Sequence, residues 1–188
     1  MMNVYTWNDI RRDDYDVDYQ NYYTFLGVLP QRELFVSTAN ALLKVGDKER
    51  ALKVLDRCQE SMPENVWPLD AIPLGFSTND YMVVNMVSAY FAAGAPDKAA
   101  ELGAKLGKEL LASAHFYMEY YEYAQDEFEK SCQFLYFLVD ELEKGGDKKV
   151  SAELKRSLVT LLRAGAEAYD QDYGNEADST VAEDTSAK

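Results

Sequence analysis

The chain has 188 residues, 47% of them hydrophobic and 28% charged, the composition of a globular protein. Its 19 basic and 33 acidic residues leave a formal net charge of −14. Such a surface repels phosphate backbones and anionic lipid, which argues against nucleic acid as a partner. A chain of this length buries roughly 70% of its unfolded surface and needs no disulfide or metal to fold.

The chain opens on MMNVYTWNDIRRDDYDVD, a polar, acidic stretch without an apolar core. It is expected not to be a signal peptide. Asp14, Asp16 and Asp18 give D-x-D-x-D, the opening of a calcium loop. The rest of that loop fails, because Tyr19 stands where Gly is needed and Phe25 where the bidentate Glu would be. Tyr19, Tyr22, Tyr23 and Phe25 form an aromatic cluster. Residues 1–30 are read as an acidic, aromatic segment packing on the helical part of the chain.

Helical periodicity begins at about Gln31. Phe35, Ala39, Leu42 and Leu43 mark one apolar stripe. Gly46 stops that helix, because Gly adopts a positive φ at little cost. Asp47 can cap the next, which carries Ala51, Val54, Leu55, Cys58 and Met62 on one face and ends at Pro63. A Pro- and Gly-rich loop, PENVWPLDAIPLGFSTND, leads to a second hairpin. Its first helix runs from about Tyr81 to Ala93 and stops at Gly94; Pro96 opens the second, with Ala99, Leu102, Leu106 and Leu110 apolar. A third hairpin is less regular. Phe128, Cys132, Leu135, Leu138, Val139 and Leu142 precede Gly145-Gly146-Asp147; Val150, Leu154, Leu158, Leu161 and Leu162 come after it. Strand signals are scarce. The last stretch, from Asp170 to Lys188, is acidic and poor in large apolar residues, and it is expected to be disordered.

Aligned on Gly46 and Gly94, the hairpins read ALLKVGDKERALKVLDRC and AYFAAGAPDKAAELGAKL. Each has a bulky residue four before the Gly, Leu42 or Tyr90, and an Ala five after it, Ala51 or Ala99. This resembles the tetratricopeptide helix–turn–helix repeat, whose period is about 34 residues. The separation of Gly46 from Gly94 is longer, so the loop between them holds an insertion. In the third hairpin Ser151 takes the Ala place and Lys155 replaces a bulky apolar residue. The resemblance implies an all-α fold of irregular hairpins stacked as a short right-handed solenoid over residues 31–168, with 169–188 as a tail. It also implies a concave partner groove lined by the first helix of each pair: Glu33, Val36, Asn40 and Lys44, then Tyr81, Val84, Ser88 and Phe91. No carboxylate clamp is expected, because Val36 stands where such a clamp needs Lys.

The order of elements is similar to the C-terminal soluble region of a bacterial multi-span membrane family related to integral-membrane glycosyltransferases. The matching pieces are LKVLDRCQESMP, VVNMVSAYFAAGAPDKAAEL, HFYMEYYEY and the pair DEFEKSCQFLYFLVDELEKGGDKKVSAELKRSL. That resemblance implies a tail domain of a membrane protein whose catalytic part lies upstream. It implies a membrane link only through that region, and a periplasmic face; otherwise the chain is expected to be cytoplasmic.

No chemistry stands out. His115 has no partner His or Cys nearby in sequence, and a catalytic triad would have no other base. Cys58 and Cys132 fall within apolar helical patterns and are read as buried free thiols. Glu119 and Glu122 are spaced as on one helix face, the usual pattern of a solvated surface. Gly103 and Gly107 sit inside a helical pattern and not in a phosphate loop. Phe116, Tyr117, Tyr120, Tyr121 and Tyr123 form a second aromatic cluster, which suits either the seal of a helical stack or a partner surface. The expectation is a non-catalytic interaction module with a protein or peptide partner and no cofactor or metal. The alternative is a carbohydrate-binding or carbohydrate-active domain that uses the Tyr clusters and carboxylates.

Overall fold

The computed structural model describes Arg12, residues 28–69 and residues 79–183. Among them are six α-helices and no strand: α1 (Val28–Lys44), α2 (Lys48–Ser61), α3 (Asn79–Ala93), α4 (Pro96–Glu119), α5 (Tyr121–Gly145) and α6 (Lys148–Glu183). The all-α expectation holds. The D-x-D-x-D motif, the first tyrosine cluster and most of the segment expected over residues 1–30 lie outside the described residues, as does the loop from 70 to 78.

The helices come in three pairs, and each pair is joined by the same turn. Gly46, Gly94 and Gly146 have φ of 81°, 85° and 88°. In the first turn the Asp47 N–H donates to the Leu42 carbonyl (2.9 Å) and the Gly46 N–H to that of Leu43 (3.0 Å). The second turn repeats this with Ala95 to Tyr90 (2.9 Å) and Gly94 to Phe91 (3.0 Å). The third has Asp147 to Leu142 (3.0 Å) and Gly146 to Glu143 (3.1 Å). A left-handed residue after a helix satisfies two of its orphan carbonyls in this way. Five residues beyond the glycines, Ala51, Ala99 and Ser151 are buried (0%, 0% and 2% exposed). The third hairpin, the least regular in sequence, therefore has the same turn as the other two. Ser151 fits the Ala position because its hydroxyl donates back to the Asp147 carbonyl.

Side chains complete the helix starts. Asp47 accepts from the backbone N–H of Arg50 (3.0 Å), and Asp147 from those of Lys149 and Val150 (2.9 and 2.8 Å). The backbone and side-chain bonds from Arg50 hold the Asp47 carboxyl below its usual range. Pro96 occupies the first turn of α4, where its missing N–H costs nothing.

Helix α3 is apolar on nearly every face (NDYMVVNMVSAYFAA), and such a helix belongs in an interior. It packs against α1, α2, α4 and α5. Val83, Val87 and Tyr90 are fully covered. Small residues set the closest approaches elsewhere. A Cβ at Gly103 would lie 2.9 Å from Leu142 Cδ2, and one at Gly107 would lie 2.6 Å from Leu154 Cδ1. These two glycines are where α4 meets α5 and α6.

Two boundaries differ from the sequence reading. Helix α1 starts at Val28, a turn before Gln31. Helix α6 continues to Glu183, past residue 168 where the sequence reading ended the helical domain. Helical backbone bonds need no burial, and no proline interrupts this stretch. Residues 184–188 lie outside the described residues.

Ala51 tests the pairing geometry. Ala51→Leu adds three carbons at a fully buried site and should cost about 1–3 kcal/mol. The same change at exposed Ala104 on α4 should stay within about 0.5 kcal/mol. Thermal melts should show Ala51→Leu several degrees below the wild type and Ala104→Leu level with it. Equal melting of the two variants overturns the placement of Ala51 at a helix crossing.

Candidate functional site

The residues expected to line a groove on the first helices of the repeat differ in exposure. Glu33, Lys44 and Tyr81 are exposed, and Asn40, Ser88 and Phe91 are half-buried. Val36 and Val84 are each 3% exposed and belong to the main hydrophobic cluster. Helices α1 and α3 pack on each other, and that contact takes up apolar side chains the sequence reading had offered to a partner. The Phe91 ring lies against Gly145 of α5, which commits it to the stack as well.

The isolated chemical candidates also resolve. His115 is exposed, and its Nδ1–H donates to the Leu111 carbonyl one turn back (2.6 Å). Glu119 and Glu122 are both exposed. Among the described residues, no group of three or more His, Cys, Asp or Glu side chains is placed to hold a metal ion. No helix among them is long and apolar enough to cross a membrane. Cys58 and Cys132 are free and buried, as expected. Burial pushes the Cys58 thiol up to about 12, opposed by the nearby Arg32 charge. Burial, with help from Glu129, pushes Cys132 up to about 11. Thiols that stay protonated are poor nucleophiles.

Among the described residues, two concave features bear on function. The first is a cavity of about 300 Å³ bordered by α1, α2, the loop after α2, α3 and α4. Arg32, Cys58, Met62, Met86, Leu102 and Lys105 are among its lining residues. Arg32 is 2% exposed, and its two terminal nitrogens donate to the carbonyls of Trp67 (2.7 Å) and Pro68 (3.0 Å). Beside this cavity a polar network ties α2 to α3 and α4. Lys98 donates to Asp56 (2.7 Å), the Tyr90 hydroxyl donates to the same carboxylate (3.2 Å), and the Gln59 amide donates to that hydroxyl. Burial raises the Tyr90 phenol above its usual range; the Gln59 hydrogen bond opposes the rise and Asp56 adds to it.

The second feature is a wider groove of about 780 Å³ on α5 and α6. Phe128, Cys132, Phe137 and Leu162 give it an apolar floor and side, and Asp126, Glu129 and Lys130 give it charge. Tyr136 and Leu162 are 61% and 51% exposed. Leu162, read from sequence as part of the buried stripe of the third hairpin, is thus on the surface. The second aromatic cluster divides in the same way. Tyr121 is buried edge-on against Phe128, with ring centroids 5.5 Å apart, whereas Phe116, Tyr120 and Tyr123 are exposed.

Sequence reading missed both features. Arg32 stands in phase with Phe35, Val36 and Ala39, so a charged residue on the buried stripe was the available signal. Tyr136 carries no such signal, because its exposure depends on which helix covers α5. Comparison with known proteins finds no matching family model, no matching curated protein and no matching solved structure.

The raised thiols give a pH dependence. The unfolded chain releases these protons near pH 9, while the folded chain keeps them until about 11 and about 12. The folded state binds more protons in that window, so stability falls as pH rises from about 9 toward 12. The urea midpoint should be lower at pH 10.5 than at pH 8, and Cys58→Ala should flatten that decline. A flat wild-type profile would show that the thiols ionise freely in the folded protein.

Proposed function

We propose that this chain is a non-catalytic interaction module of the helical-repeat type, with its three hairpins stacked as a short right-handed solenoid of tetratricopeptide character. The thrice-repeated glycine turn, each with a small residue five positions on, supports the repeat reading. The observation that carries the interaction role is the groove on α5 and α6, where Tyr136 and Leu162 stand exposed beside buried Phe128 and Cys132. A stacked array buries the face of each hairpin under the next, and the terminal pair keeps an apolar face. Exposed apolar ground of this kind suits a protein partner. In this reading the partner docks on the third hairpin, and the α1 and α3 residues Glu33, Asn40, Lys44 and Tyr81 are secondary. The resemblance to the tail region of a membrane glycosyltransferase-like family points to a partner close to such a protein.

A carbohydrate site is the second reading, because Tyr136 shares the groove with Asp126 and Glu129. Those carboxylates occupy successive turns of a single helix. Acid–base hydrolysis of a sugar needs carboxylates flanking the scissile bond from opposite sides. The protein-docking reading is therefore preferred.

A photo-crosslinking amino acid at position 136 or 162 should capture one defined partner in cells, while the same group at exposed Lys108 captures none. Tyr136→Glu with Leu162→Glu should remove that adduct and leave the stability within about 0.5 kcal/mol of wild type, as surface changes do. Identical adducts from positions 136 and 108, or capture unaffected by the double substitution, would sink the reading.

A further inference from the structure

We propose that the cavity between α1, α2, α3 and α4 is a binding site for a small organic carboxylate. Its lining includes a buried cation, Arg32, that makes no salt bridge with the described residues. Arg32 is 2% exposed, and its hydrogen-bond partners among those residues are the carbonyls of Trp67 and Pro68. Carbonyl oxygens satisfy individual N–H donors but leave the unit charge uncompensated. A buried charge in that state costs several kcal/mol. A guanidinium has five N–H donors in a fixed fork, so two such bonds leave donors to spare.

The rest of the lining is mixed: Gln59, Asn65 and the carboxylate of Glu64 are polar, and Lys105 supplies a second cation. Lys105 also lines the cavity, and its side chain is 40% exposed, which places the ammonium toward the rim. It pairs there with Glu64, which also lines the cavity, and with Glu101, each at 3.1 Å, so an entering carboxylate exchanges with these two for its ammonium. The deep wall is apolar: Met62, Met86 and Leu102. The matching ligand is one carboxylate reaching the Arg32 fork, joined to a short apolar body against the methionines. A volume of about 300 Å³ limits that body to a small molecule. The chain's −14 charge works against any anion at long range. At physiological salt, charges beyond about 8 Å are largely screened, so the lining of the cavity decides. The site is separate from the α5–α6 groove and stands or falls independently of the docking reading.

The test is a titration of the full chain at about 0.15 M salt with hexanoate and with hexanamide, its neutral counterpart, followed by backbone amide shifts. Hexanoate should move the amides of Arg32, Cys58, Met62 and Lys105, and hexanamide should bind at least about tenfold more weakly, the usual margin for a charge-assisted bond. Arg32→Gln should lose at least tenfold in hexanoate affinity. Arg32 also holds the Trp67 and Pro68 carbonyls, so that variant risks the fold. Lys105→Gln alters only the rim; it should melt like the wild type and lose about threefold by the same charge argument. Hexanoate shifts confined to other residues, equal affinity for hexanoate and hexanamide, or undiminished hexanoate binding by Lys105→Gln would each overturn the site.

Discussion

A helix can double back on itself only if something accepts the carbonyls it leaves open, and in this protein a left-handed glycine does so three times. Gly46 shows the constraint clearly. Its φ of 81° is strained for any side-chain-bearing residue, yet the space around its Cα is open. The requirement there is conformational, and steric room plays no part. Once the turn is made, the second helix of each pair starts at a fixed distance from the first. Ala51, Ala99 and Ser151, five residues past the glycines, are then buried. The helix pairs and their spacing follow from these turns.

Joining the pairs needs a different device, an unbroken apolar surface with gaps of the right depth. Helix α3 supplies the surface, because it has no polar side to turn to solvent. Gly103 and Gly107 supply the depth on α4, where Leu142 and Leu154 sit in the space a Cβ would need. Interiors pack as densely as organic crystals, so side chains of this kind fix the positions of their neighbours. A consequence is the burial of Val36 and Val84. The contact that joins α1 to α3 uses them.

The polar features gather where this packing ends. Arg32 enters the core to hold the carbonyls of Trp67 and Pro68, and so ties the loop after α2 to α1. Lys98, Asp56, Tyr90 and Gln59 bridge α2, α3 and α4. Lys105 and Glu64 form a second bridge along the same edge. Surface pairs of this kind contribute little to stability one by one. Their position around a cavity with a buried guanidinium gives that edge a chemistry unlike the acidic exterior. The opposite end of the chain, on α5 and α6, offers apolar surface bordered by Asp126, Glu129 and Lys130.

The helices, their turn glycines, the capping aspartates and most of the core were legible in the sequence. Apolar spacing, Gly46, Gly94 and Gly146, and Asp47 and Asp147 act through bonds a few residues long, which a linear reading sees. The turn around Gly146 was legible too, although Ser151 in place of Ala disguised the likeness to the other pairs. The fate of each helix face was not legible. Val36 and Leu162 are both apolar residues on amphipathic helices, yet one is core and the other surface, because α3 covers α1 and no described helix covers that side of α5 and α6 in the same way. Arg32 shares the phase of the buried stripe, but its partners, the carbonyls of Trp67 and Pro68, come from the loop after α2. Local hydrogen bonding is written residue by residue, whereas burial is decided by which distant element arrives, and only the tertiary structure settles that.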